Sequence, residues 1–139
     1  MLVDMEQERF TFKKEERLRG TKRIESLFQK GRSFIAYPLR VVYSETDAPA
    51  AVFASILVSV PKKKIKRAVQ RNRIKRLVRE SYRLNKSILL AKLNDNMPSV
   101  DIAFIYLKEE LSDFKSIQKA MQKALSEIGE KIKPENKDV

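Results

Sequence analysis

The stretch KKKIKRAVQRNRIKRLVRESYRLNK, which runs from Lys62 to Lys86, decides how the rest of this 139-residue chain is organised. It holds twelve Lys or Arg residues and one acid, Glu80, so its formal charge is +11, against +12 for the whole chain. From Ala68 onward it has no Gly or Pro and few β-branched residues, and this pattern predicts a long helix that ends near Leu93.

The predicted helix has two chemically different sides. At 3.6 residues per turn, its apolar and small polar residues collect on one arc, and its cations collect on the opposite arc. The first arc consists of Ile74, Leu77, Val78, Ser81, Leu84, Asn85 and Ile88. The second arc consists of Arg71, Asn72, Lys75, Arg76, Arg79, Arg83 and Lys86, with Arg73 at the border. We therefore expect one side to pack on a core and the other to present a rigid row of cations.

The cationic side indicates a polyanionic partner. Like charges four residues apart on a helix repel by about 0.2–0.5 kcal/mol per pair, and Arg71, Lys75 and Arg79 form such a ladder. A side that only faces water usually alternates the sign of its charges, and this one does not. Arg outnumbers Lys from Arg67 onward, which favours recognition of phosphates and base edges by planar guanidinium groups. The pattern therefore predicts a partner that carries many phosphates.

The flanking segments predict an α/β (α+β) two-layer sandwich. It has one small sheet with helices, in the order helix, strand, strand, helix, strand, helix. The first helix is predicted to begin with Thr21 as its N-cap and to end at Gly31 in the left-handed conformation. The last helix is predicted to run from Ser112 to Ile128, where Gly129 stops it.

The remaining segments complete this organisation. Alternating apolar residues predict three strands, at residues 33–43, 51–60 and 100–107. The chain divides into a flexible or strand-like arm, a folded domain and a disordered charged tail, at residues 1–17, 18–129 and 130–139.

The run KRAVQRNRIKRLVRE, from Lys66 to Glu80, closely resembles the signature block of the bacterial ribonuclease P protein subunit, whose RNR triplet stands here as Arg71-Asn72-Arg73. The resemblance covers about residues 18–128, which is most of the chain. It implies an RNA-binding subunit that assists a catalytic RNA in the endonucleolytic removal of the 5′ leader from precursor tRNA. It also implies a left-handed crossover between the second and third strands, Mg²⁺ used by the RNA subunit, and one protein per RNA.

The resemblance implies a first binding surface, for the catalytic RNA. In the family the signature block contacts that RNA, and the matching residues of this chain are Arg71, Asn72, Arg73, Lys75, Arg76 and Arg79. Charge alone adds Arg67 and Arg83 to this surface. For Arg73, a salt bridge to Glu80 is the alternative.

The second implied surface is a cleft between the first helix and the sheet, where the family holds the single-stranded leader. The matching positions are Ile24 and Phe28 on the helix and either Val42 or Tyr43 on the first strand. Family members often have Phe where this chain has Ile24, so one stacking ring is missing here. Phe28 is equally well explained as a core residue, because it lies on the only apolar stripe of its helix.

The sequence offers little for catalysis by the protein itself. It has no His and no Cys, its Asp residues are scattered, and its three Gly residues form no phosphate-binding loop. We therefore predict no catalytic residue in the protein and leave its metal sites open. No apolar run is long enough to span a bilayer, and residues 1–12 do not form a signal peptide, so we expect a cytoplasmic protein without a membrane partner.

Four other functions are considered. A general RNA-binding or ribosome-associated protein without a role in tRNA processing explains the charge but not the signature block. A DNA-binding basic helix is disfavoured because the apolar arc lacks the heptads of a dimer zipper. A membrane-surface helix is disfavoured because that arc lacks Trp and Phe. A nuclease made of protein alone requires turnover without RNA.

Overall fold

The computed structural model describes residues 16–46, 53–93 and 99–132 of the chain. These residues form a single four-stranded sheet in the order β1-β2-β4-β3, with β1 and β2 antiparallel, β2 and β4 antiparallel, and β3 and β4 parallel. The elements are α1 (Thr21–Lys30), β1 (Arg32–Ala36), β2 (Leu39–Thr46), β3 (Ala54–Ser59), α2 (Ala68–Asn85), α3 (Ser87–Leu90), β4 (Ser99–Tyr106) and α4 (Phe114–Lys131). The predicted class, one small sheet with helices in an α+β arrangement, is confirmed.

The segment predicted as one strand at residues 33–43 is instead a hairpin. β1 and β2 meet at a tight turn, with Ala36 paired to Leu39. Pro38 lies in the turn, where its missing N–H costs no ladder hydrogen bond, and its carbonyl accepts a hydrogen bond of 2.8 Å from the Leu107 N–H. The sheet therefore gains an edge strand that periodicity alone did not separate from its neighbour.

The main core lies between one face of the sheet and the helices α2 and α4. Ile74 and Val78 of α2 are fully buried there, as are Ile117 and Met121 of α4. Successive strand residues point to opposite faces, so a second, smaller cluster forms on the other face. That cluster consists of Leu18, Leu27, Val42 and Ala103, and α1 covers it. The connection from β3 through α2 to β4 joins neighbouring parallel strands, and its predicted left hand stays a prediction.

The basic helix is shorter than predicted. It ends at Asn85 rather than near Leu93, and the short α3 follows it. The side chain of Asn85 donates to the carbonyl of Ser81 and accepts from Gln122 of α4, so this buried amide is satisfied within the core. The next residue, Lys86, was placed on the cationic arc, and this is wrong because its side chain turns inward to Glu16 and is only 4% exposed.

The last helix is longer than predicted, because it continues through Gly129 to Lys131. A Cβ atom at Gly129 would lie 2.6 Å from Cδ of Lys92, so the small residue makes room for that side chain rather than stopping the helix. Ile132, in the predicted tail, is buried, and its N–H donates to the carbonyl of Ile128. Residues 133–139 of the tail and 1–15 of the arm lie outside the described residues.

The predicted bounds of α1 are confirmed, but the predicted N-cap residue and the predicted conformation of Gly31 are wrong. Gly20, not Thr21, is the N-cap, with φ of 94° and no capping side chain. Gly31 has φ of −71° and ψ of 150°, which is extended rather than left-handed. Glycine is needed at this position because a Cβ atom would lie 2.3 Å from the carbonyl oxygen of Leu27 and 2.8 Å from Cγ1 of Val42. Close packing of α1 on β2 therefore explains this residue.

Within the three described ranges, none of the helices combines the length and the apolarity that crossing a bilayer requires.

Candidate RNA-binding site

The predicted two-sided character of the basic helix is confirmed. Its buried residues are Ile74, Val78, Ser81, Tyr82 and Asn85, of which only Tyr82 was not placed on the apolar arc. On the opposite side, Asn72, Arg73 and Arg76 are exposed, while Lys75 and Arg79 are half-buried. Burial of one side fixes the rotation of the helix, so its cations are held at the surface in a constant orientation.

A basin of about 400 Å³ lies on this cationic side. Its lining residues are Arg17, Asn72, Arg76, Arg79, Glu80 and Arg83. Burial, and then the positive charge of Arg17, lower the pKa of the Arg79 guanidinium. Arg17 and Arg79 thus disfavour each other across the basin, and a bound anion would relieve that repulsion.

Arg71 differs from the other cations because it binds its own backbone. Its Nη1 donates to the carbonyl oxygens of Ile65 at 3.0 Å and Lys66 at 2.7 Å. The Ile65 side chain is buried in the main core, so the loop between β3 and α2 is held at both its side chain and its carbonyls. Arg71 therefore fixes the lysine-rich loop beside the exposed Arg67, which precedes α2.

Arg83 is paired with the single acid of the basic stretch. Its Nε and Nη2 donate to the two carboxylate oxygens of Glu80, each at 2.8 Å. Hydrogen bonding from Arg83 lowers the pKa of Glu80. The alternative role suggested for Arg73, a salt bridge to Glu80, is wrong because Arg83 takes this carboxylate.

The second predicted surface is only partly assembled as expected. Phe28 is 46% exposed and Leu27 is the buried residue of α1, so the interpretation of Phe28 as a core residue is wrong. Ile24 is half-buried and packs on the second cluster together with Val42. Tyr43 lies on the opposite face, in the main core, with its ring 5.9 Å from that of Phe34. Of the two strand candidates, Val42 therefore faces α1, and Tyr43 does not.

Within the part of the chain that the structure describes, no helix covers a strip of the sheet beside α1. Strand pairing aligns Ile35, Arg40, Ile105 and Ser59 in one row across the four strands, on the same face as Val42. Ile35 is 59% exposed, Arg40 is exposed, and Ile105 is half-buried. This row, together with the exposed Phe28 of α1 on the same face of the sheet, is called the open strip.

An ion pair fixes α1 against the sheet. Arg23 donates through Nη2 to Oδ1 of Asp101 at 2.6 Å and through Nε to Oδ2 at 2.9 Å. Asp101 lies on β4 and is buried, and its hydrogen bond raises the pKa of Arg23. A bidentate contact of this kind restricts rotation as well as position. The position of Phe28 on α1 thus depends on a pair formed from the other end of that helix.

Comparison with known proteins decides the family. The sequence profile of the family described as Ribonuclease P matches residues 12–129. A ribonuclease P protein component from Porphyromonas gingivalis is 47% identical over 119 residues, which cover 86% of this chain and 87% of that protein. The chain belongs to the ribonuclease P protein family. A ribonuclease P protein component from Chlorobaculum tepidum is 37% identical over 95 residues, covering 63% and 62% of the two chains.

Solved structures of ribonuclease P proteins share the fold. The protein from Thermotoga maritima superposes with a TM-score of 0.64 at 25% identity, covering 81% of this chain and 96% of that one. The protein from Staphylococcus aureus superposes with a TM-score of 0.61 at 22% identity, covering 81% and 94%. The α+β architecture around the basic helix is therefore that of the ribonuclease P proteins.

Sequence reasoning missed several residues of this chain that shape the two surfaces. Arg17 was assigned to the arm, yet it lines the basin next to α2. Arg23 and Ile35 were not singled out, although they hold α1 and form part of the open strip. The position of Arg17 depends on chain pairing between distant residues, for which periodicity gives no signal. The exposed Ile35 could have been found from its alternation with Phe34, once the hairpin was recognised.

Proposed function

We propose that this chain is the RNA-binding protein subunit of ribonuclease P and assists a catalytic RNA in removing the 5′ leader from precursor tRNA. The observation that carries the proposal is the basin beside α2, where three arginines of that helix and Arg17 surround a single acid in a member of this family. A folded protein tolerates such mutual repulsion at a surface that a polyanion covers.

The catalytic RNA is proposed to bind along the cationic side of α2. Asn72, Arg73 and Arg76 are exposed there and available to phosphates and base edges, with Lys75 and Arg79 beside them. Arg67 extends the surface at the start of the helix. Arg71 and Arg83 contribute charge, but each already has hydrogen bonds within the protein, so we rank them below Arg76 and Arg79 as direct contacts.

The leader is proposed to lie along the open strip beside α1. An exposed Phe28 ring offers a face on which an unpaired base can stack, and Ile24 flanks it at the next turn of the helix. Arg40, in the middle of the apolar row, is placed to meet the phosphate of a strand that crosses the sheet. Val42 forms the floor under α1 rather than a contact, because it is only 4% exposed.

Catalysis is proposed to reside in the RNA subunit, with Mg²⁺ held by that RNA. Among the residues that the structure describes, no three acidic side chains come close enough to hold a metal ion. Bound Mg²⁺ would activate water and stabilise charge on the phosphate, and this chain offers no general base of the usual kind beside it. The protein's own contribution is to bind and orient the two RNAs.

Reconstitution tests the proposal. Protein alone, ribonuclease P RNA alone and the two together are incubated with precursor tRNA over a range of Mg²⁺ concentrations. We expect no cleavage by the protein alone and faster cleavage by the complex than by the RNA at low Mg²⁺. Robust cleavage without RNA would show that the catalytic groups are in the protein.

A matched pair of variants locates the binding surface. Arg76→Ala/Arg79→Ala removes two charges from the basin, and Lys119→Ala/Lys123→Ala removes two charges from exposed positions on α4. We expect the first variant to weaken binding to ribonuclease P RNA and the second to bind like the wild type. Equal affinity of the wild type for an unrelated RNA of the same length would instead indicate a general RNA-binding protein.

A further inference from the structure

Residues Glu16–Leu18, here called the strap, lie beside β3 at the edge of the sheet. The Leu18 N–H donates to the carbonyl of Ile56 at 2.8 Å, and Arg17 forms a parallel bridge with the same residue. The Leu18 side chain is buried in the second cluster. The strap is thus joined to the sheet by backbone pairing and by one apolar anchor.

A buried ion pair joins the strap to the basic helix as well. Nζ of Lys86 donates to both carboxylate oxygens of Glu16, each at 2.9 Å. The two side chains are only 4% and 6% exposed. Burying two charges is costly unless they are well paired, so a strap that left this position would leave Lys86 uncompensated. Lys86 directly follows α2, and the pair therefore sets the distance between the strap and that helix.

Arg17 lies between Glu16 and Leu18, which are both buried, and is itself exposed. Five residues that line the basin belong to α2, and Arg17 of the strap is the sixth. A single helix presents a convex surface, which a phosphate can touch from one side only. With Arg17 in place the surface becomes concave, and its charge is close enough to lower the pKa of Arg79.

We propose that Arg17 is a further RNA-binding residue, that a backbone phosphate of the RNA is held between the strap and α2, and that the Glu16–Lys86 pair is the positioning element that keeps Arg17 in the basin. The proposal rests on the proposed function, since it names a contact and a positioning pair within the same RNA-binding surface. Guanidinium groups on two sides of one phosphate give directional contacts that a single row of cations does not.

The first test compares Arg17→Ala with Arg19→Ala, an exposed cation two residues further on that does not line the basin. We expect Arg17→Ala to weaken binding to ribonuclease P RNA about tenfold, the size of one charge-assisted hydrogen bond. The slope of log affinity against log salt should become less steep by about 0.9, the value for one phosphate contact. Arg19→Ala should change affinity by less than about twofold, as expected for a cation that contacts no phosphate.

The second test asks whether Glu16 acts through Arg17. In a Glu16→Gln background, the strap loses its charge pair, and the additional loss from Arg17→Ala should shrink from about tenfold to less than about twofold. Thermal melts confirm that each variant is folded at the assay temperature. Glu16→Gln/Lys86→Gln, which buries no charge, replaces the single variant if that one unfolds. An undiminished loss in these backgrounds would overturn the positioning role.

The outcomes separate this inference from the proposed function. If Arg76→Ala/Arg79→Ala weakens RNA binding while Arg17→Ala behaves like Arg19→Ala, the basin binds RNA without the strap and the inference is wrong. If Arg76→Ala/Arg79→Ala has no effect, the proposed RNA-binding surface itself is wrong.

Discussion

Arg71 and Arg76 are two arginines of one helix with the same charge and different structural roles. Arg71 donates two hydrogen bonds to loop carbonyls, at 3.0 and 2.7 Å, whereas Arg76 is exposed at the basin. A hydrogen bond from a charged group contributes about 1.5–3 kcal/mol when well shielded, and partial exposure of Arg71 reduces this, so we expect Arg71→Ala to cost about 1–2 kcal/mol in all. Arg76→Ala should cost nothing and gain about 0.2–0.5 kcal/mol from relief of like-charge repulsion.

Thermal unfolding at equal protein concentration and salt measures this difference. For a domain of this size, a loss of 1 kcal/mol lowers Tm by about 3–6 °C, so Arg71→Ala should melt several degrees below Arg76→Ala. Arg71→Lys is the informative third variant, since it keeps the charge but replaces the planar guanidinium, whose Nη1 donates to both carbonyls, with a compact ammonium group on a shorter side chain. It should melt close to Arg71→Ala. Equal Tm values for Arg71→Ala and Arg76→Ala would refute the structural role of Arg71. Arg71 would then be proposed as a direct RNA contact, like the other cations of α2.

Four further predictions test the two surfaces. Phe28→Ala should weaken binding of precursor tRNA by the reconstituted complex about tenfold more than binding of mature tRNA, because only the precursor has a leader that can stack on this ring. Equal losses for the two RNAs in a folded variant would contradict the proposed leader site beside α1. The log–log salt slope of RNA binding should be about −4 to −5 if six phosphates are contacted, and a slope near −1 would exclude α2 as the main contact. Glu80→Gln should release Arg83 for contact with RNA and raise RNA affinity about threefold in a filter-binding assay. Because Arg83 lowers the pKa of Glu80, this pair stabilises the fold above the ordinary carboxyl pKa, and the stabilisation is lost as pH falls through the lowered pKa. The variant should therefore lack this part of the acid-side pH dependence of stability, and a profile like that of the wild type would show that the pair is not formed in solution. Asp101→Asn should lower the free energy of unfolding in urea by about 1–2 kcal/mol, since it leaves Arg23 without its carboxylate. It should also reduce the preference of the complex for precursor over mature tRNA. An unchanged preference in this destabilised variant would mean that α1 does not position the leader.

The basic helix could be predicted from the sequence because its information is local. Spacing alone placed Ile74 and Val78 in the core and Arg76 at the surface, since a 3.6-residue period needs no knowledge of the partner that covers the apolar side. The fold class followed in the same way from the order of periodic segments. The resemblance of the signature block then supplied what periodicity cannot supply, namely the family and, with it, the proposed RNA partner and reaction.

The details that were left open or were wrong depend on contacts between distant residues. The choice between Val42 and Tyr43 required the strand register, because a shift of one residue moves every side chain to the other face. The role of Gly31 required the approach of α1 to β2, and the inward turn of Lys86 required a carboxylate 70 residues away in the chain. Side-chain contacts with loop carbonyls, such as those of Arg71, carry no periodic signal at all.

The arrangement of the sheet separates the two proposed RNA-binding surfaces on one small domain. Adjacent residues of β2 and β4 point to opposite faces, so α2 covers the main core on one face while α1 and the open strip occupy the other. The two proposed surfaces are therefore supported by the same sheet but have no side chain in common. The strap runs along β3, at one edge of the sheet, where it packs Leu18 under α1 and ties Glu16 to the end of α2. The strap therefore contacts both the second cluster and the end of α2, and a ligand that moves Arg17 in the basin would also act on Leu18, which packs under α1.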